Sequence, residues 1–132
     1  MTTPLNDAQL AEFQRILEQR HRELRELIGR ELLKADSEQF SELAGQVHDL
    51  EEASVADLLV DINLATVDLH LAELREVEDA LARIRDGSYG ECGDCHGPIG
   101  LERLQAYPTA RRCIECQALY ERTHQHPGMH SL

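Results

Sequence analysis

Large aromatic side chains are scarce in this chain of 132 residues: tryptophan is absent, and Phe and Tyr together make up 4% of the sequence. A wide globular core is therefore not expected, because aromatic side chains bury the most apolar area per residue. No apolar run approaches the roughly 20 residues that a membrane-spanning helix needs. The N-terminus also lacks the pattern of a signal peptide. The sequence thus predicts a chain that neither spans a membrane nor is exported.

Positive charge is also scarce, with 13 Lys and Arg against 25 Asp and Glu and a formal net charge of −12. A chain with this balance repels phosphate backbones, so direct DNA binding is not expected. The same charge favours a basic protein partner or a site that holds cations.

Cysteine occurs only four times, and all four form two Cys-x-x-Cys pairs. Cys92 and Cys95 make the first pair, Cys113 and Cys116 make the second, and 17 residues separate the pairs. This spacing is typical of a four-thiolate zinc site, in which two tight turns complete a tetrahedron. Two disulfides or four unrelated buried thiols are the alternatives, but paired units fit a zinc ribbon better than a secreted disulfide framework. The sequence therefore predicts one structural Zn²⁺ and a reducing, cytoplasmic compartment.

Apolar residues spaced by three and four predict a first amphipathic helix from a cap at Asn6 or Asp7 to about Lys34. Arg20 interrupts this apolar seam, and His21 gives no functional signal. The seam consists of Leu10, Phe13, Leu17, Leu24 and Leu27, widened by Ile16, Ile28 and Leu32.

A second helix is predicted from Val55 to Asp86, because this stretch contains neither Gly nor Pro and Gly87 follows it. Two long amphipathic helices with one connection are expected to pack antiparallel. The predicted fold is α-dominated: a long antiparallel two-helix coiled-coil hairpin, a small four-cysteine zinc-finger module and a short C-terminal helix. One apolar face of the second helix is predicted from Val55, Leu58, Leu59, Ile62, Ala65, Leu69 and Ala72, continued by Leu71, Leu74, Val77, Leu81 and Ile84.

The chain divides into four predicted segments. Residues 1–6 form a lead-in, 7–86 the hairpin, 87–123 the zinc module with a helix over about 114–122, and 124–132 a flexible tail. The hairpin tip at about 35–54 is a turn region with one short helical piece near residues 40–43. It carries six acidic residues and no Lys or Arg, which fits either a solvated loop or a functional probe. A second metal site in the tail is disfavoured, because its Pro-Gly step prevents helical pairing of His124, His126 and His130.

The cysteine region carries a specific resemblance. The stretch D-G-S-Y-G-E-C precedes the first pair, I-G-L-E-R-L-Q-A-Y-P-T-A lies between the pairs, and C-I-E-C closes the module. These motifs strongly resemble the DksA/TraR family of bacterial transcription regulators, and the hairpin extends the likeness to nearly the whole chain. The resemblance implies that the chain binds RNA polymerase rather than DNA. It further implies that the hairpin enters the secondary channel, that the zinc module and C-terminal helix dock outside, and that ppGpp binds at the shared interface. A monomer is expected.

The family's tip motif, D-x-x-D-x-A, falls on residues 49–54. Asp49 keeps the first aspartate, Glu52 replaces the second, and Ser54 replaces the alanine. The resemblance thus implies that these three residues lie near the polymerase active site. Because Glu is one methylene longer and Ser adds a hydroxyl, a paralogue with altered or lost tip activity is a second interpretation.

Two other function classes compete with this one. A coiled-coil adaptor is one, since Arg103, Arg111 and Arg112 would give the zinc ribbon a modest basic patch for a phosphate or a protein. A thiol redox enzyme is the other, but a catalytic Cys-x-x-C usually sits beside a βαβ unit that this sequence lacks. The chain is therefore predicted not to be an enzyme.

Overall fold

The computed structural model describes residues 5–34, 44–47 and 65–123. Four helices have defined limits: α1 (Asp7–Leu33), α2 (Ala65–Asp86), α3 (Leu101–Ala106) and α4 (Ile114–Thr123). Residues 44–47 are helical as well, and within the described ranges the only strand-like feature is an isolated bridge between Glu91 and Pro98. None of the described helices has the length and apolar character that crossing a bilayer requires.

A capping box fixes the start of α1. The Asn6 side chain accepts a hydrogen bond from the Gln9 backbone N–H at 2.8 Å, and the Gln9 side chain accepts from the Asn6 N–H at 2.9 Å. Two of the N–H groups that a helix start leaves unpaired are thereby satisfied. The helix ends at Leu33 with Lys34 as its C-cap, close to the predicted limits.

The helices α1 and α2 pack antiparallel. Phe13 near the start of α1 contacts Tyr89, just beyond the end of α2, whereas Arg20 further along α1 meets Glu73, an earlier residue of α2. The predicted fold class, a two-helix hairpin with a four-cysteine module, is confirmed. Fully or almost fully buried apolar side chains along this interface are Phe13, Leu17, Leu24, Ile28 and Leu32 of α1 and Val67, Leu71, Leu74, Val77 and Ala80 of α2.

One prediction about the second helix is wrong for the described residues. Leu69, assigned to the apolar face, is 76% exposed, and Ala72 is exposed too. The buried face contains Leu71, Leu74 and Val77 instead, and the centre of this face lies on the opposite side of the helix. This face is the buried one because its side chains remove more apolar area from water than Leu69 and Ala72 would. The rest of the predicted helix, residues 55–64, lies outside the described residues.

The zinc module begins at a tight turn after α2. Gly87 adopts a left-handed backbone (φ 85°), which lets the N–H groups of Ser88 and Tyr89 donate to the Arg83 carbonyl. Gly90 is also left-handed (φ 90°), and a Cβ there would lie 3.1 Å from the Leu5 side chain. The chain therefore folds back closely onto the start of α1, where the buried Tyr89 ring lies 5.6 Å from the Phe13 ring. The zinc module is thus packed against the base of the hairpin.

Candidate metal centre

The four cysteine sulfurs converge on one point. The Sγ atoms of Cys92, Cys95, Cys113 and Cys116 all lie within 4.8 Å of one another, and those of Cys95 and Cys113 are 3.9 Å apart. A tetrahedral zinc site with Zn–S bonds of about 2.3 Å places its sulfurs about 3.8 Å apart. The 3.9 Å separation matches that geometry, and the 4.8 Å limit keeps all four sulfurs within about 1 Å of it.

A compact turn holds the first pair. The Cys92 N–H donates to the Gly97 carbonyl at 2.7 Å, and the His96 N–H donates back to the Cys92 carbonyl at 3.0 Å. His96 adopts a left-handed backbone (φ 63°), which lets the turn close around the sulfurs. The second pair is held differently: Cys113 directly precedes α4, and Cys116 lies in its first turn.

The thiols cannot all ionise without a compensating cation. Burial acts to raise the pKa of Cys92, but the backbone N–H groups of Cys95, Cys113 and Asp94 outweigh it and lower that pKa to about 6. The neighbouring sulfurs of Cys113 and Cys92 raise the pKa of Cys116 instead. One thiolate forms readily and suppresses ionisation of its neighbours, so four thiolates at this spacing require a bound dication. The prediction of one structural Zn²⁺ is confirmed by this donor set and by the family match given below.

The segment that leads to Cys113 is fixed by its carbonyl groups. Arg83 of α2 donates to the carbonyls of residues 109 and 110 at 3.3 and 3.1 Å, and the Tyr89 hydroxyl donates to that of residue 108 at 2.7 Å. The Gly93 N–H and the Arg103 guanidinium donate to the carbonyls of residues 111 and 112, each at 2.9 Å. Every carbonyl from 108 to 112 therefore has a donor from elsewhere in the chain. These contacts fix the path of the P-T-A-R-R backbone between the two halves of the centre.

The three arginines predicted as a basic patch are engaged within the protein. Arg103 binds the backbone of Arg112, and Arg112 binds Asp94 at 2.8 Å and stacks on Tyr120 with 3.9 Å to the ring centroid. Arg111 lies 3.8 Å from the carboxylate of Asp79. The Asp94 carboxylate thus matches the charge of Arg112, whereas Arg103 contacts a neutral carbonyl and Arg111 forms only a long, exposed pair.

Asp49, Glu52 and Ser54, the predicted tip residues, lie outside the described residues, as do the tail histidines. Their roles stay predictions. The metal ligands, by contrast, are all described and brought together.

Sequence reasoning missed several residues that position the centre. Arg83 and Tyr89 clamp the zinc module onto the hairpin, yet nothing in a single sequence distinguishes Arg83 from the exposed Arg85 beside it. His21, for which the sequence gives no functional signal, is buried between the helices, and its Nε2 lies 2.8 Å from the Glu78 carboxylate. The helix α3 was missed too, although the Leu101–Leu104 spacing was an available signal.

A two-helix hairpin with a four-cysteine zinc finger packed on its base is the class of protein that this fold and site define. Residues 87–122 match the model of the prokaryotic dksA/traR C4-type zinc finger. The chain is 32% identical over 117 residues to the RNA polymerase-binding transcription factor DksA of Escherichia coli K12. The aligned region covers 89% of this chain and 74% of that protein. The protein of the same name from Caulobacter vibrioides NA1000 is 34% identical over 122 residues, covering 89% of this chain and 80% of the relative.

A solved structure shows the same fold. The transcription factor DksA2 from Pseudomonas aeruginosa superposes with a TM-score of 0.64 at 30% identity, covering 92% of this chain and 89% of that one. The chain therefore belongs to the DksA/TraR family.

Proposed function

We propose that this chain is a transcription regulator that binds RNA polymerase directly. The observation that carries the proposal is the similarity over 89% of the chain to proteins named RNA polymerase-binding transcription factors. That similarity covers the hairpin as well as the zinc finger, so it concerns the architecture and not only a metal-binding module.

The hairpin acts as a probe. With 27 residues, α1 extends about 40 Å at 1.5 Å per residue. The zinc module is packed at the N-terminal end of α1, against Phe13 and Leu5, so Leu33 lies at the other end of that helix. A rod with a bulky module at its base suits entry of the opposite end into a channel such as the secondary channel of polymerase. Asp49 and Glu52 then approach the catalytic centre and act on it through nearby cations.

The regulator acts without binding DNA. A net charge of −12 opposes approach to a duplex, and the arginines of the zinc module already contact Asp94, Asp79 and backbone carbonyls. The competing adaptor function, in which the zinc ribbon binds another protein or a nucleic acid, requires a basic surface in the second case. A mobility shift with promoter DNA in the absence of polymerase separates the two, since a shift would favour the adaptor.

The protein is not an enzyme under this proposal. A redox Cys-x-x-C needs one exposed, activated thiol with a single resolving partner. Here both pairs face the same point, which favours a shared metal ion over dithiol exchange. Binding to polymerase places the chain in the cytoplasm, and one channel admits one hairpin, so the monomer is the functional form.

The proposal is tested by transcription in vitro from a ribosomal promoter, with and without ppGpp, beside a pull-down with purified polymerase. Asp49→Asn is expected to keep polymerase binding and to lose most of the effect on transcription, because it removes one tip charge and little contact area. Glu51→Gln, which removes a neighbouring charge at a position that the tip motif leaves unspecified, is the matched control. Equal loss of binding and effect in Asp49→Asn would mean that the tip is a docking element instead.

The altered tip has its own test. If Glu52 and Ser54 weaken the tip's action, the double variant Glu52→Asp with Ser54→Ala should act more strongly on the same promoter at unchanged affinity for polymerase. An unchanged effect would show that the chain's tip is already fully active, and no effect from either protein would support a paralogue that only occupies the channel.

A further inference from the structure

A cleft of about 500 Å³ lies where the zinc module meets the groove between α1 and α2. Its apolar lining includes Leu17 of α1, Val77 of α2 and Pro108 of the zinc module, and Tyr107 and Thr109 flank Pro108. This volume lies within the range of about 300–1,000 Å³ that binding sites occupy. Unlike the zinc centre, the cleft has no role in the architecture described above.

Glu76 places an oriented carboxylate at the edge of this cleft. Its Oε2 accepts hydrogen bonds from the Tyr107 hydroxyl at 3.1 Å and from the Thr109 hydroxyl at 3.2 Å. Among the residues that the structure describes, no Lys or Arg forms an ion pair with Glu76. Two neutral donors thus fix the direction of a charge that they do not neutralise.

The other charged groups of the cleft are matched. Arg20 donates to Glu73 at 2.7 Å and pairs with Glu23 at 3.2 Å, so one guanidinium serves two carboxylates. Arg15 is held 2.6 Å from Glu12, which lies outside the cleft. The excess charge in the cleft is therefore negative, and Glu76 is the lining carboxylate without a paired cation among the described residues. A polyanion would be repelled there, whereas a cation would be attracted.

An apolar lining beside one oriented carboxylate matches the chemistry of a basic side chain. The alkyl stem of such a side chain packs on apolar surface while its charged head stays at the rim. Charge-assisted hydrogen bonds to a carboxylate are about twice as strong as neutral ones. A neutral or anionic ligand would leave the Glu76 charge without a partner.

We propose that this cleft receives a Lys or Arg side chain of RNA polymerase, with its cationic head on Glu76. The inference rests on the proposed function, because it takes polymerase as the partner and assigns to it one docking contact at the base of the hairpin. The net charge of −12 supports a basic partner surface, and the cleft gives that attraction a specific location. Tyr107 and Thr109 are positioning residues, which act through Glu76.

The test measures the affinity of the zinc-loaded chain for purified polymerase by fluorescence anisotropy at low and high salt. Glu76→Gln keeps the oxygen that accepts from Tyr107 and Thr109 and removes only the charge. We expect it to weaken binding about threefold to tenfold at low salt and to flatten the salt dependence. Glu76→Lys should weaken binding further, and Tyr107→Phe should have an intermediate effect. Glu26→Gln, which removes an exposed charge from α1, is the matched control and should change affinity less than twofold.

Each outcome decides the matter. Equal affinity of wild type and Glu76→Gln would overturn the cleft inference while leaving polymerase binding intact, and tighter binding by Glu76→Lys would show that the cleft faces negative charge. Wild-type protein that does not bind polymerase would overturn the proposed function itself. Competition by spermidine that is lost in Glu76→Gln, with polymerase affinity unchanged, would assign the cleft to a free cation and contradict the docking contact.

Discussion

The clamp between the hairpin and the zinc module gives the sharpest stability prediction. Arg83→Met removes the guanidinium that donates to the carbonyls of residues 109 and 110 and keeps most of the apolar stem. Hydrogen bonds from a charged donor contribute about 1.5–3 kcal/mol each. At 3.1 and 3.3 Å both bonds are longer than the usual 2.9 Å, and Thr109 is only partly buried, so the low end applies. Because two bonds are lost, we expect a loss of about 3 kcal/mol, which is about 150-fold in the unfolding equilibrium constant.

Urea unfolding of the zinc-loaded chain, followed by circular dichroism, measures this loss. Arg85→Met is the matched control, because Arg85 is exposed in the same turn of α2, and it should change the free energy of unfolding by less than about 0.5 kcal/mol. Because zinc affinity is linked to folding of the module, Arg83→Met should also release zinc at a lower chelator concentration. Equal stability of the two variants would refute the idea that Arg83 fastens the module to the hairpin.

Three further substitutions probe the metal centre and the helix interface. Cys113→Ser removes one ligand, so we expect it to release zinc and to unfold the module around residues 87–123. Atomic absorption measures the zinc content, and a full complement of zinc would contradict the four-cysteine site. His21→Leu should destabilise the hairpin by about 1–3 kcal/mol in urea unfolding, because the buried Glu78 carboxylate loses a partner. The loss is expected even though Leu adds an apolar side chain to an apolar interface. A more stable variant would show that the His21–Glu78 pair contributes nothing. The hydrogen bond from Arg20 lowers the pKa of Glu73, so this carboxylate stabilises the fold above its unfolded pKa of about 4.3 and loses that effect as pH falls through its folded pKa. Wild type should therefore be more stable than Glu73→Gln by about 0.5–1 kcal/mol, as for a partly exposed pair. This difference should shrink between about pH 5 and pH 3, and a difference that stays constant would contradict the role of the Arg20–Glu73 pair.

The zinc centre was predictable because its signal is chemical and local. Two Cys-x-x-Cys pairs specify their own turns, and tetrahedral coordination leaves one way to combine them. The packing of α1 was predictable for a similar reason, since its apolar residues occupy a single face. The face of α2 was not, because apolar residues lie on opposite sides of that helix and only the partner selects between Leu71 and Leu69.

The contacts between hairpin and module could not be read from the sequence. Arg83 binds carbonyl groups that lie 26 and 27 residues away, and backbone carbonyls carry no residue-specific signal. His21 and Glu78 are separated by 57 residues, so their pairing depends on the register of the two helices. The cleft with Glu76 also depends on contacts between distant residues, because the hydroxyl groups that donate to Glu76 come from the loop after α3. Local spacing predicts elements, whereas charge pairing across elements follows from the fold.

Direct binding to polymerase tests the central claim most directly. Labelled zinc-loaded protein titrated with purified RNA polymerase, and separately with promoter DNA alone, should show saturable one-to-one binding to the enzyme and none to the DNA. Loss of the polymerase signal after zinc removal would tie that binding to the folded module. Binding to DNA without polymerase, or no saturable binding to polymerase at any tested concentration, would contradict the account.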